Sequence, residues 1–237
     1  SKCCSVTYTR KVVPEIFSYA INDTVIKRSD SFKDLGVLFD TKFTFIDHIN
    51  DIVAKAFKNY GFIYRNCREF SEIGTLRTLF FSLVRSKLDY IALVWSPIYQ
   101  VHIQHLESVQ RTFLKFLSYR IDGVYPVRGI DQSLLLSRFD FLSLASCRRI
   151  IALKFLFSLV NNNIDCNYLL SKLNFLVPRS NSRQFLMFYC QRKRTNASVK
   201  SPINFMCELY NKISGSCDLH ADSFHKIRKC LLECSLE

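Results

Sequence analysis

Turn-forming residues are scarce in this chain of 237 residues, which contains only 6 glycines and 5 prolines. Chains built from many short strands need more of these residues at their turns, so the scarcity favours long helices. The chain also lacks an apolar run of membrane-spanning length, since the longest candidate, residues 150–160, is short and contains Lys154. Its first residues do not resemble a secretory signal. We therefore expect an intracellular protein, in the nucleus or cytoplasm, that is neither secreted nor bound to a membrane.

Apolar side chains are abundant by contrast. Hydrophobic residues make up 49% of the chain and include 21 phenylalanines, which is enough to bury a core and excludes disorder as a description of the whole chain. Ten cysteines are scattered through segments rich in Phe and Leu. This distribution is typical of reduced thiols that mostly act as small core residues.

The charge of the chain is strongly one-sided. Lys and Arg number 33 against 20 for Asp and Glu, which gives a formal net charge of +13. A folded protein this basic is expected to bind polyanions, with nucleic acid as the default partner. The alternative is a basic, solvated surface without a ligand.

Short strands are predicted only in the first forty residues. Cys4, Val6 and Tyr8 alternate with polar neighbours, which predicts a half-buried strand. A second candidate covers residues 16–21, and the turn signal Asn22-Asp23 precedes a third at residues 24–26. A short buried strand is predicted over residues 34–39.

After residue 40 the apolar residues recur at helical spacing. A first amphipathic helix has an apolar face between Ile49 and Tyr64, and a second is predicted to run unbroken from Ser71 to Trp95, with Trp95 as a core anchor. Further helices are predicted around residues 103–117, 141–160, 167–173 and 222–234, whereas the pattern fails at residues 178–202. The predicted fold is mainly α with a short N-terminal β segment, in which a helical bundle is followed by a second helical region.

Several short sequence blocks, each weak by itself, point to one protein family when they are taken together. They are Lys33-Asp34-Leu35-Gly36-Val37, Ser82-Leu83-Val84-Arg85-Ser86, Val94-Trp95-Ser96-Pro97, Val109-Gln110-Arg111 and Arg194-Thr195-Asn196. In this order and rough spacing they resemble the C-terminal part of the reverse transcriptase of jockey-like and CR1-like non-LTR retrotransposons (LINE elements). The resemblance extends from Lys2 to about residue 230.

The resemblance implies a division into three segments. Residues 1–43 would be the end of the palm, with a β hairpin and a strand, and residues 44–120 would be a thumb-like helical bundle. Residues 121–237 would be a post-thumb helical region with a basic segment at 179–200. The implied partners are an RNA/DNA template–primer and the upstream palm and fingers of the same polymerase, with no small-molecule substrate.

One departure from the family bears on activity. Polymerase chemistry needs carboxylates that hold two metal ions, and in the family these include an adjacent Asp-Asp pair. The sequence contains no such pair. The full-length family enzyme would need Mg²⁺, but we predict no cofactor, metal site or catalytic residue in this chain. We therefore expect a non-catalytic fragment of an RNA-directed DNA polymerase, inactive alone, from a truncated element copy or a partial gene.

The strongest candidate contacts to nucleic acid lie on the first helix. Lys55, Lys58 and Arg65 fall opposite its apolar face, where a thumb helix would present them to backbone phosphates. The alternative is an ordinary solvated face, in which Asp51 and Lys55 form an i,i+4 pair. Further candidates are Lys2, near the family's primer grip, and the basic residues Arg111, Lys115, Arg148, Arg149, Arg192, Lys193 and Arg194.

Two of these candidates have rival interpretations. Arg192-Lys193-Arg194 lies in an acid-free stretch that also fits a nuclear localisation signal or a flexible basic loop. Arg148-Arg149 is predicted at a helix start, where the macrodipole disfavours cations and a phosphate or carboxylate partner would be needed. Near the C-terminus, a zinc site is a weaker alternative to a plain helix, with the candidate ligands Cys217, His220, His225, Cys230 and Cys234.

The predicted function is binding of template–primer nucleic acid through phosphate contacts. The alternative is a helical interaction module that packs on the polymerase domain implied by the resemblance and has no nucleic-acid role of its own.

Overall fold

The computed structural model describes residues 3–9, 11, 15–67, 69–70, 72–177, 186–190, 198 and 201–234. This part of the chain is mainly helical, and its paired strands lie within the first forty residues, so the predicted fold class is confirmed. The chain divides into two compact units. Unit 1 comprises residues 1–91 and 99–135, and unit 2 comprises residues 92–98 and 136–237. The N-terminal strands and the first helices thus share one unit, while the palm and thumb boundaries stay predictions from the resemblance.

The strands of unit 1 form three two-stranded sheets. The hairpin turn predicted at Asn22-Asp23 is confirmed, because both residues adopt left-handed φ values of 47° and 59° between two antiparallel strands. The strand predicted from Cys4 to Tyr8 is paired only at Cys4–Ser5. The pairs are β1 (Cys4–Ser5) with β4 (Lys27–Arg28), parallel; β2 (Ala20–Ile21) with β3 (Thr24–Val25), antiparallel; and β5 (Ser31–Asp34) with β6 (Val37–Asp40), antiparallel.

The single strand predicted over residues 34–39 is wrong. Leu35 and Gly36 instead form the tight turn of the β5–β6 hairpin, with φ values of 44° and 87°. The Tyr90 hydroxyl donates a hydrogen bond to the Leu35 carbonyl over 3.1 Å. A long-range contact therefore supports a turn that puts a bulky residue in the left-handed region, where glycine is normally favoured.

The helices of unit 1 begin with α1, the amphipathic helix predicted from the sequence. The unbroken helix predicted from Ser71 to Trp95 is wrong, because the helical run ends at Asp89 and Ile91 has a φ of 50°. A β-branched residue in that region marks a strained break. The helical elements of unit 1 are α1 (Ile46–Asn66), α2 (Ile73–Phe80), a π-helical turn (Phe81–Arg85), α3 (Ser86–Asp89) and α5 (Gln100–Asp122). The short helix α4 (Ala92–Trp95) belongs to unit 2, and α6 (Gln132–Arg138) begins in unit 1 and ends in unit 2.

The packing of the buried residues explains why this segment contains a π turn. The buried residues of this segment recur every fourth position, at Leu76, Phe80, Val84 and Leu88. On a regular α-helix each such step would rotate the side chain by about 40°, so the row would leave the core. The wider i→i+5 turn at 81–85 keeps the row facing inward and also buries Arg85, which is 4% exposed.

His48 links the first helix to the last strand. It is 3% exposed, and its Nδ1 accepts a hydrogen bond from the Leu38 amide over 3.3 Å. Burial lowers the pKa of His48 below its ordinary value, and the smaller influence of Asp51 acts in the opposite direction. The neutral imidazole, which can accept at Nδ1, is therefore the form that the fold favours.

Acidification should weaken this link. Because the pKa of His48 is lower in the folded than in the unfolded chain, its contribution to stability is present above about pH 6.5 and is lost as the pH falls through the folded value. Urea unfolding at pH 5 to 8 should show a larger loss of stability on acidification for the native chain than for His48→Gln. Parallel pH curves for the two proteins would contradict the prediction.

Unit 2 has a continuous apolar core. It is built mainly from α7 (Leu144–Val160), which packs on α9 (Pro202–Asn211), α10 (Phe224–Glu233), α8 (Asn167–Leu170) and α4. Trp95 is fully buried, which confirms its prediction as a core anchor. The sequence pattern missed α9, although its start, Ser201 followed by Pro202 at the first helical position, is a favoured helix beginning.

Candidate nucleic-acid interface

Helix α1 separates apolar and basic residues onto opposite faces. Ile49, Val53, Ala56 and Ile63 are at most 2% exposed and face the core of unit 1, where α1 packs on α5 and the π turn. Lys55, Lys58 and Arg65 are all exposed. The structure thus brings these three predicted residues together on one solvent-facing side of one helix.

The basic face is narrow and acid-free over most of its length. At about 100° per residue, Lys55, Lys58 and Arg65 fall within an arc of about 80°. With a rise of about 1.5 Å per residue they span about 15 Å of the helix axis. Both acidic residues of α1, Asp47 and Asp51, lie in its first two turns. Acids at the start and cations towards the end also complement the helix macrodipole, so this charge order stabilises the helix itself.

Lys55 is the least available of the three cations. Its Nζ lies 2.6 Å from an Asp51 carboxylate oxygen, and the two side chains are 48% and 42% exposed. An exposed i,i+4 pair of this kind contributes only about 0.3–0.5 kcal/mol. A phosphate could therefore replace Asp51 as the partner of Lys55 at little cost to the fold.

The Arg65 guanidinium lies close to Gly61, a residue that has no side chain. Its Nη1 is 3.3 Å from the point that a Cβ would occupy at Gly61. Glycine inside a helix costs roughly 0.5–1 kcal/mol relative to alanine. At this position it leaves room for the guanidinium to lie along the helix, where Arg65 remains exposed.

Arg111 and Lys115 on α5 are half-buried rather than exposed. The Arg111 Nε–H donates to the Gln132 side-chain oxygen over 3.0 Å, and the Gln132 amide donates to Glu107 over 2.9 Å. Glu107 is only 7% exposed. Gln132 therefore bridges the two charged residues, and Arg111 helps to hold α6 against α5.

Arg148 does not lie on the surface. It is 5% exposed within α7, so the structure does not favour its predicted role as a phosphate contact, which stays a prediction. The helix begins at Leu144 after the cap Ser143, which places Arg148 and Arg149 beyond the first turn and its macrodipole. Arg149 is half-buried and donates to the Ser146 hydroxyl over 3.2 Å.

Four predicted contacts, Lys2, Arg192, Lys193 and Arg194, lie outside the described residues. Most of the predicted basic segment at 179–200 lies outside them as well. Nothing in the structure adds to the sequence prediction for these positions.

The sequence did not single out the environment of Arg85. Its Nε–H donates to Asp89 over 2.8 Å, and Nη1 donates to the side-chain oxygen of Gln110, which is fully buried. Arg85 is therefore the centre of a buried polar cluster joining the π turn to α5. In the sequence, the signal for the burial of Arg85 is its position next to Val84, which belongs to the apolar row that recurs every fourth residue.

The cysteines and histidines near the C-terminus do not assemble into a metal site in the described residues. No group of three His, Cys, Asp or Glu side chains there could hold an ion. Cys217 and Cys230 are buried, and burial raises the pKa of the Cys217 thiol to about 12. No disulfide joins the ten cysteines, all of which belong to the described residues. Likewise, no described helix is both long and apolar enough to span a membrane.

Comparisons with protein-family models, with curated proteins and with solved structures give no match to this chain. A function for this chain is therefore inferred from the charge, exposure and spacing of its residues.

Proposed function

We propose that this chain binds the sugar–phosphate backbone of nucleic acid through the basic face of α1, defined as Lys55, Lys58 and Arg65. The observation that carries the proposal is the exposure of these three cations on one face of a helix whose last twelve residues contain no acid. A row of cations at this spacing suits successive phosphates of a strand, and such contacts do not depend on base sequence.

The resemblance to LINE reverse transcriptases gives the proposal its biological setting. In that setting α1 belongs to the thumb, the ligand is an RNA/DNA template–primer, and the chain is a non-catalytic part of the polymerase. The net charge of +13 favours the same class of ligand. The proposal requires an intracellular location, in the nucleus or cytoplasm.

Neutralising the basic face should weaken binding and lower its salt dependence. We expect Lys55→Gln, Lys58→Gln and Arg65→Gln together to reduce affinity for a labelled RNA–DNA duplex roughly 10- to 100-fold near 0.1 M salt. The slope of log affinity against log salt should decrease in magnitude by about 3, or about one for each lost phosphate contact. Fluorescence anisotropy between 50 and 200 mM salt measures both quantities.

The chain offers two matched comparisons. Lys154, Arg228 and Lys229 are exposed cations of unit 2, and their triple replacement by Gln changes the net charge equally. If both triple variants lose the same affinity, general charge rather than the α1 face is responsible. Asp51→Asn should act in the opposite direction, because it releases Lys55 and removes a repulsive carboxylate; weaker binding by this variant would contradict the proposed contact.

The second candidate function is docking on a protein domain. Its support is a group of exposed apolar side chains in the N-terminal segment, including Ile16, Phe17, Val25 and Leu35, which are 67–77% exposed. Exposed apolar side chains mark an interaction surface where they form a contiguous patch, and a partner domain bound to this segment would remove them from water. If this were the only function, the chain would self-associate through the segment in light scattering and would bind no duplex even at low salt.

A further inference from the structure

An aromatic ring lies inside the basic face of α1. Phe62 is 54% exposed, and it follows Lys58 by four residues and precedes Arg65 by three. At about 100° per residue, its angular position falls between those of Lys55 and Lys58, about 40° from Lys58 and about 60° from Arg65. Along the axis its Cα is about 6 Å from the level of the Lys58 Cα and about 4.5 Å from that of the Arg65 Cα. A single exposed apolar residue is ordinary, but one placed between two exposed cations is a recognised arrangement for holding a nucleic-acid strand.

The other aromatic rings of this helix have partners inside the protein. Tyr60 and Tyr64 pack edge-on against Phe116 of α5, with ring centroids 6.3 and 5.3 Å away. Within the described part of the chain, the Phe62 ring has no such contact with another ring. The side-chain amide of Asn66 donates a hydrogen bond to Phe62 over 2.8 Å, but the acceptor is the backbone carbonyl and not the ring. The Phe62 ring is therefore not needed to join α1 to α5.

We propose that Phe62 stacks on an unpaired base, so that the preferred ligand is a single strand or a duplex with a single-stranded extension. This inference rests on the proposed function, because Lys58 and Arg65 must hold the phosphates on either side of that base. Bases inside a duplex already stack on each other, and a ring on the surface of a helix can cover only a base that is unpaired. Stacking of this kind tolerates any base, since every base has a π face.

The test compares two probes and two replacements. The probes are a single-stranded RNA containing 2-aminopurine and a blunt RNA–DNA duplex, each with the full chain. Phe62→Ala should lower affinity for the single strand roughly tenfold and abolish the change in 2-aminopurine emission on binding, while affinity for the blunt duplex stays the same. Phe62→Tyr should retain both signals. Phe70→Ala replaces a similarly exposed ring outside α1, at 48% exposure, and should change neither affinity.

The outcomes separate this inference from the function on which it rests. If the native chain binds both probes with the expected salt dependence but Phe62→Ala binds the single strand as well as the native chain does, stacking is wrong and backbone binding stands. An equal loss on both probes would also overturn stacking, because it would reflect a general effect on α1. If the native chain binds neither probe, both proposals fail, and Phe62 belongs to a protein contact.

Discussion

Replacing Arg85 by Met is expected to lower the free energy of unfolding by about 3 kcal/mol. The guanidinium is 4% exposed and donates hydrogen bonds to Asp89 and to the buried Gln110. Methionine fills a similar volume but leaves both acceptors without this donor inside the protein. Removing one member of a buried charged cluster typically costs about 3–5 kcal/mol. We expect the lower end of this range, because the Asp89 side chain is 27% exposed and can regain water.

Two further variants make this prediction specific. Arg85→Met combined with Gln110→Leu should recover part of the loss, since removing both members of a buried pair is less costly than removing one. Lys87→Met replaces an exposed cation two residues away and should change stability by less than about 0.5 kcal/mol. Urea unfolding followed by far-UV circular dichroism gives the comparison. Equal stabilities for Arg85→Met and Lys87→Met would show that the cluster does not stabilise the fold.

Replacing Phe113 by Ala should be at least as damaging. Its ring stacks on that of Phe80 with centroids 4.0 Å apart and planes 9° from parallel, and both residues are fully buried. This contact joins α5 to α2 in unit 1. Phe→Ala replacements in a core cost about 3–5 kcal/mol, because apolar contacts are lost and a cavity remains. A single protein domain is stable by only about 5–15 kcal/mol, so unit 1 should become marginal.

The matched control is Phe62→Ala, which removes the same side chain from an exposed position of α1. We expect it to cost less than about 1 kcal/mol, since little buried area is lost. Thermal unfolding of the two variants measures the difference. If Phe113→Ala unfolded at the same temperature as Phe62→Ala, the stacked pair would not be a major part of the core.

The sequence pattern was sufficient to predict those features that depend on a single short segment. The two faces of α1 repeat with the helical period, so the exposed row Lys55, Lys58 and Arg65 could be predicted from spacing alone. The Asn22-Asp23 turn could also be predicted, because both residue types tolerate the left-handed conformation that a tight hairpin requires.

Other features depend on partners that are distant in the sequence. Leu35 is a poor turn residue by itself, and its turn is supported by Tyr90, 55 positions away. The segment after α1 is apolar on nearly every side, so its pattern could not indicate the break at Ile91 or the π turn that buries Arg85.

The exposure of individual charged side chains also depends on residues that are distant in the sequence. The sequence alone determined a mainly helical, strongly basic chain and the basic face of its first helix, because composition and periodicity are properties of adjacent residues. The tertiary structure decided which cations remain available for a ligand. Lys58 and Arg65 are exposed, whereas Arg85 and Arg148 are buried, and Arg111 donates to Gln132. Burial depends on which helices pack together, and that is set by contacts between residues far apart along the chain.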